Sequence, residues 1–147
     1  MVSISVEPPT QVQRGTVLYP PLVVSCQNSQ YVFFQIVLLD SQGQVVEQGI
    51  LQGTPSASPQ LLHTTAQSSR GPKDYAVFPN LAIGTTGIYT LRVDAYEMDY
   101  QTMDAVYAAS METREIRVRS SEVSAGRPSS SEVRLLDRLA RAGFRMS

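Results

Sequence analysis

The sequence predicts an all-β domain: a two-sheet sandwich of immunoglobulin-like kind, closed by one C-terminal amphipathic helix. Three observations predict it. Short apolar runs recur along residues 3–119 with turn residues between them, the spacing of sandwich strands. Nine glycines and nine prolines are spread through the 147 residues and break up any long helical period. Only after Pro128 does the periodicity become helical.

Taken in order, Ser3-Ile4-Ser5-Val6 alternates polar and apolar before Pro8-Pro9, which reads as an edge strand closed by residues that cannot continue a ladder. A loop follows through Gly15. Leu22 to Ser25 gives a second strand, with Cys26 as a small core residue beside it. Tyr31 to Leu39 is apolar almost throughout and is expected at the centre of a sheet with both faces covered. Asp40-Ser41-Gln42-Gly43 carries turn chemistry, so that Val45-Val46 and Ile50-Leu51 return as a hairpin partner.

Residues 52–74 are rich in Ser, Thr, Gln, Pro and Gly and read as an exposed, mobile loop in which Leu61-Leu62 anchors a short strand. Tyr75-Ala76-Val77-Phe78 resumes strand character, and Gly84-Thr85-Thr86-Gly87 is a turn. Tyr89, Leu91, Val93 and Ala95 then alternate with Thr90, Arg92 and Asp94, the cleanest strand signal in the chain. A connection from Met98 to Ser110 leads to a last strand in which Ile116 and Val118 alternate with Glu115, Arg117 and Arg119. The helix is expected over about 130–142: Ser129-x-x-Glu132 is a capping box, and Gly143 stands where a helix would stop. Val133, Leu135, Leu136, Leu139, Ala140 and Ala142 fill one half of its wheel, with Arg134, Arg138 and Arg141 in a narrow arc opposite.

A chain of this length is expected to form one domain over 1–147. It has no apolar run long enough to cross a membrane, and Met1-Val2-Ser3-Ile4 lacks the start of a signal peptide, so an intracellular protein is expected. The net charge of -1 is unevenly spread: eight of the twelve basic residues lie in 114–147, against four acids there. That asymmetry permits contact with a polyanion or an acidic partner.

The residues argue against catalysis. His63 and Cys26 are the only residues of their kinds, so no Cys/His zinc site is expected, and His63 sits in a polar segment with no nucleophile elbow around any serine. Gly84-Thr85-Thr86-Gly87 lacks the following Lys-Ser or Lys-Thr and the helix of a phosphate-binding loop. Asp94, Glu97, Asp99 and Asp104 form the densest acidic group and read as solvated loop and edge residues. No metal, cofactor, small-molecule substrate or enzymatic activity is expected. The helix arginines read either as an ordinary solvated face or as a grip for phosphates or an acidic partner.

Several segments, in order, resemble the velvet domain of fungal regulators. Ile4-Ser5-Val6-Glu7-Pro8-Pro9 is similar to its opening strand, Gln13-Arg14-Gly15 stands in place of its Arg-Ala-Cys-Gly stretch, and Pro20-Pro21-Leu22-Val23-Val24 matches the proline run before its next strand. Val77-Phe78-Pro79-Asn80-Leu81 and Gly87-Ile88-Tyr89-Thr90-Leu91-Arg92-Val93 resemble its Phe-Pro-Asp-Leu and Gly-x-Tyr-x-Leu-Arg-Phe core. Ser129-Ser130-Ser131 with Leu135 and Leu139-Ala140-Arg141-Ala142-Gly143-Phe144 is similar to the closing segment.

The resemblance implies a Rel-homology-like sandwich and a nuclear and cytoplasmic regulator of fungal development, sporulation and secondary metabolism. It implies action as a dimer with itself or another velvet-family protein, and binding of double-stranded DNA. The family's basic DNA-contacting loop is missing, since Gly15 runs through Thr16-Val17-Leu18-Tyr19 to Pro20; fewer phosphate contacts release fewer counterions. Two readings follow: a transcriptional regulator that binds DNA, or an interaction module with little DNA affinity. The candidate DNA contacts are Arg14, Arg114, Arg117, Arg119, Arg134, Arg138 and Arg141, and the candidate partner contact is Val17-Leu18-Tyr19.

Overall fold

Twelve short strands and one helix make up the described part of the computed structural model, which covers residues 2–27, 31–61, 73–124 and 127–146. His63 and Leu62 lie outside it. The first sheet is antiparallel, ordered β1 (Ser3–Val6), β3 (Leu22–Gln27), β8 (Lys73–Phe78) and β7 (Gln60–Leu61). The second is ordered β2 (Gln11–Gln13), β12 (Ile116–Arg119), β10 (Gly87–Asp99), β4 (Phe33–Leu39) and β6 (Ser56–Ala57). β11 (Asp104–Glu112) also pairs with β10, and β5 (Leu51–Gln52) pairs with β9 (Ala82–Ile83). β2 with β12 is the one parallel pairing among these strands.

Alternation explains how the sheets face each other. Leu22, Val24, Ala76 and Phe78 from the first sheet share one apolar cluster with Phe34, Ile36, Leu38, Leu91, Val93 and Ala95 from the second, the sheet-on-sheet core of a sandwich. The strand covered on both faces is β3. Its other face, with Val23, packs beneath α1 (Ser130–Arg141) through Leu136 and Leu139, while Ser25 sits in a hydroxyl cluster with Ser3 and Ser5 at 2.8 and 2.7 Å. The expectation that Tyr31–Leu39 has both faces covered is thus corrected. β4 alternates, with Phe33, Gln35 and Val37 half-buried on the outside, because the helix covers the first sheet and not the second.

The helix begins and ends as its sequence dictates. Ser129 Oγ accepts the Glu132 amide at 3.2 Å and Glu132 Oε1 accepts the Ser129 amide at 2.8 Å. At the other end, Phe144 N donates to Leu139 O and Gly143 N to Ala140 O around a left-handed Gly143, a Schellman close with Phe144 packed in the same apolar cluster as Leu139.

Four further expectations are corrected. The loop before Gly15 contains β2, because Val12 turns into the core beside Val118. Val45 makes only a single bridge to Leu39, and Leu51 pairs with Ile83 instead of returning as a hairpin. Residues 52–61 hold more than the one short strand expected at Leu61: β7 is that strand, but β6 also pairs with β4 at the edge of the second sheet. The connection from Met98 to Ser110 is a β-hairpin: β10 runs on to Asp99 and β11 returns along it.

Candidate functional site

The candidate arginines fall into two groups. Arg117 and Arg119 point out of β12 because Ile116 and Val118 point in, and Arg14 is tied to that strand by its amide, which donates to Arg119 O at 2.8 Å. Arg114 donates from Nη2 to Pro8 O at 3.3 Å. Arg114, Arg119 and Arg127 line a cleft of about 530 Å3 along the β2–β12 edge, but Glu122 and Glu132 line it too, so its charge is mixed. Arg134, Arg138 and Arg141 stand exposed on α1, in the layer that covers the first sheet. There Arg141 pairs with Asp137 at 3.1 Å, and Arg138 lies near enough to Tyr75 to act on its hydroxyl, whose pKa burial raises and that charge lowers. The cleft takes in two of the seven candidate arginines, Arg114 and Arg119, and adds Arg127, which sequence reasoning did not name.

The Val17-Leu18-Tyr19 patch is corrected at its centre. Leu18 is 3% exposed; its amide donates to Leu81 O at 2.8 Å and its side chain belongs to the main core, so it faces away from any partner. Val17 and Tyr19 are exposed at 48% and 54%. Tyr19 borders an apolar groove of about 300 Å3 with Pro21, Val133, Leu136, Ala140 and Met146. The apolar half of the helix wheel is wider than the strip that β1 and β3 cover, which leaves Val133 and Ala140 in the open.

A further apolar display is one the sequence reading missed. On the outer face of the second sheet, Phe33, Tyr96 and Tyr107 stand in register across β4, β10 and β11. Phe33 stacks on Tyr96 at 4.6 Å and 10°, and Tyr107 meets Tyr96 edge-on at 6.1 Å. Beside them Arg92 Nε donates to Asp94 Oδ1 at 2.8 Å; this hydrogen bond to Asp94 strengthens the arginine's hold on its proton, and Asp94 is buried and not solvated as expected. Tyr107, Val106, Met111, Tyr100 and Met103 are all exposed.

Local chemistry makes the hairpin. Asp99 Oδ1 accepts the Gln101 amide at 2.9 Å, Asp99 O accepts the Met103 amide at 2.7 Å, and Met103 takes φ 62. The turn therefore uses an Asx cap and a left-handed methionine, with no glycine or proline to announce it. At the far end Thr113 breaks β11 from β12: its Oγ1 accepts the Leu91 amide at 3.1 Å and donates to Arg114 O at 3.0 Å. The signal available was the Tyr100, Val106 and Tyr107 content of a segment read as a connection.

Among the described residues, no three of His, Cys, Asp and Glu come together as a set that could hold a metal ion, and no helix is long and apolar enough to cross a membrane. No protein-family model matches the chain, and no curated protein matches it.

Proposed function

We propose that this chain is an interaction module of velvet-like, Rel-homology-like kind, which binds another protein, itself or a velvet-family partner, in transcriptional control of fungal development and secondary metabolism. The observation that carries the reading is the open β10–β11 hairpin with its three-strand aromatic row, since soluble proteins seldom leave such apolar area without a use. Tyr19 and the bare edge of α1 offer a second apolar surface. On this reading the chain performs no catalysis of its own.

Direct DNA binding is the second reading, favoured by the alignment of Arg114, Arg119 and Arg127 along one cleft. Three phosphate contacts would give a slope of about -3 in log affinity against log salt. The test is a salt series on a mixed-sequence duplex, with the oligomeric state measured by sedimentation in the same buffer. Self-association or a defined protein complex with salt-insensitive, negligible DNA binding supports the module. A steep slope that loses about one unit on each of Arg114→Ala, Arg119→Ala and Arg127→Ala supports the DNA reading instead.

A further inference from the structure

The long free edge of β11 contradicts the usual protection of sheet edges. β2 lies along the outer edge of β12, and the segment ends where Glu7 Oε1 accepts the Arg114 amide at 3.4 Å. Beyond that point, β11 pairs with β10 alone among the described residues. Exposed edges are normally blunted by short length, charge, proline or a β-bulge. β11 is nine residues long with neither lysine nor proline; its protection is one bulge at Ala108, where the register skips between Ala109 and Tyr107, and the carboxylates of Asp104 and Glu112 at its ends.

Charge identifies the occupant. Residues 93–113 contain five acids and no basic residue. Asp94 is taken up by Arg92, while Asp104 and Glu112 stand exposed at the two ends of the open edge. A second copy fits poorly, because antiparallel self-pairing centred on Ala108 sets Asp104 against Glu112 at both ends. Building on the interaction-module reading, we infer that β11 takes an extended segment of a different protein as an added antiparallel strand, one with alternating apolar residues and lysine or arginine at its ends. Backbone pairing holds the segment, the basic ends meet Asp104 and Glu112, and alternate apolar side chains continue the aromatic row at Tyr107.

The test uses the full chain and a capped nine-residue peptide with lysine at each end and valine alternating with threonine between, read by amide hydrogen exchange and titration calorimetry. Expected are protection confined to 104–112, loss of binding when alternate peptide amides are N-methylated, and loss when glutamate replaces lysine. Asp104→Asn with Glu112→Gln, two exposed changes that leave the strand intact, should weaken binding about three- to tenfold. Equal binding by the N-methylated peptide, protection outside β11, or no binding at millimolar peptide overturns the inference. A native complex whose protected amides lie elsewhere overturns the edge assignment and leaves the module reading standing. A chain that takes the peptide on β11 while remaining monomeric supports the edge and removes self-association.

Discussion

Glu132, in the first turn of α1, accepts the backbone amide of Glu7 at 3.0 Å, joining positions 125 residues apart. The same carboxylate closes the capping box with Ser129, so one side chain both starts the helix and fastens it to the end of β1.

Burial acts to raise the Glu132 pKa, but hydrogen bonds from the Ser129 and Glu7 amides and from the Ser129 side chain, with the Arg114 charge, outweigh it and hold it below the ordinary 4.5. A carboxylate whose folded pKa is lowered stabilises fully above its unfolded pKa and loses that contribution as pH falls through the folded value. Glu132→Gln should therefore be less stable than the parent at about pH 6, with the difference shrinking toward about pH 3 in urea titrations. Glu132→Ala should cost about 1–2 kcal/mol at neutral pH.

Cys26 is 2% exposed, and burial, followed by the Asp74 charge, raises its thiol from 9.0 to about 11. That cuts the thiolate fraction at pH 8 about a hundredfold before steric exclusion is counted. A disulfide reagent should label the native chain at the rate of its opening and label it rapidly in denaturant; prompt native labelling would contradict the packing.

Gly43 and Gly53 both have positive φ, yet substitution should separate them. A Cβ at Gly43 meets open space, so Gly43→Ala costs only backbone strain of roughly 1 kcal/mol. A Cβ at Gly53 would collide with the Asn80 carbonyl and disturb the pair in which Thr54 N donates to Asn80 Oδ1 at 3.0 Å. Gly53→Ala should cost roughly 2–4 kcal/mol, measured by denaturant midpoint.

Tyr96 sits between two aromatic neighbours, whereas Tyr107 is 56% exposed at the end of the row. Tyr96→Ala should destabilise by about 1–3 kcal/mol. Tyr107→Ala should shift stability by less than about 1 kcal/mol yet weaken a partner complex at least about tenfold. Unchanged partner affinity in Tyr107→Ala would remove the aromatic row from the interface.

The sequence disclosed those parts of the fold where local chemistry and tertiary packing agree. Ser129, Glu132 and Gly143 marked the helix because caps are local, and the alternation through Tyr89–Ala95 marked β10 because one face is dry. β2 escaped notice because three residues show too little alternation and its partner lies far along the chain. The double coverage expected of β4 falls to β3, since an apolar run does not say which sheet a distant helix will cover. The hairpin was hidden by its glycine-free turn, and the aromatic row went with it. At Leu18, apolar character was legible but its direction was not, because an inward or outward side chain depends on the amide bonded to Leu81.

The parallel pairing of β2 with β12 also sets a schedule for biosynthesis. Gln11 meets Arg117, Val12 meets Val118 and Gln13 meets Arg119, and β2 has no other strand partner among the described residues. β1 can pair with β3 soon after both leave the ribosome; β2 must wait for about a hundred further residues, or about 5–20 seconds of translation. Through that interval Val12 is a bare apolar side chain on the nascent chain, so codon usage and chaperone access over the stretch of message between the two strands act first on this strand.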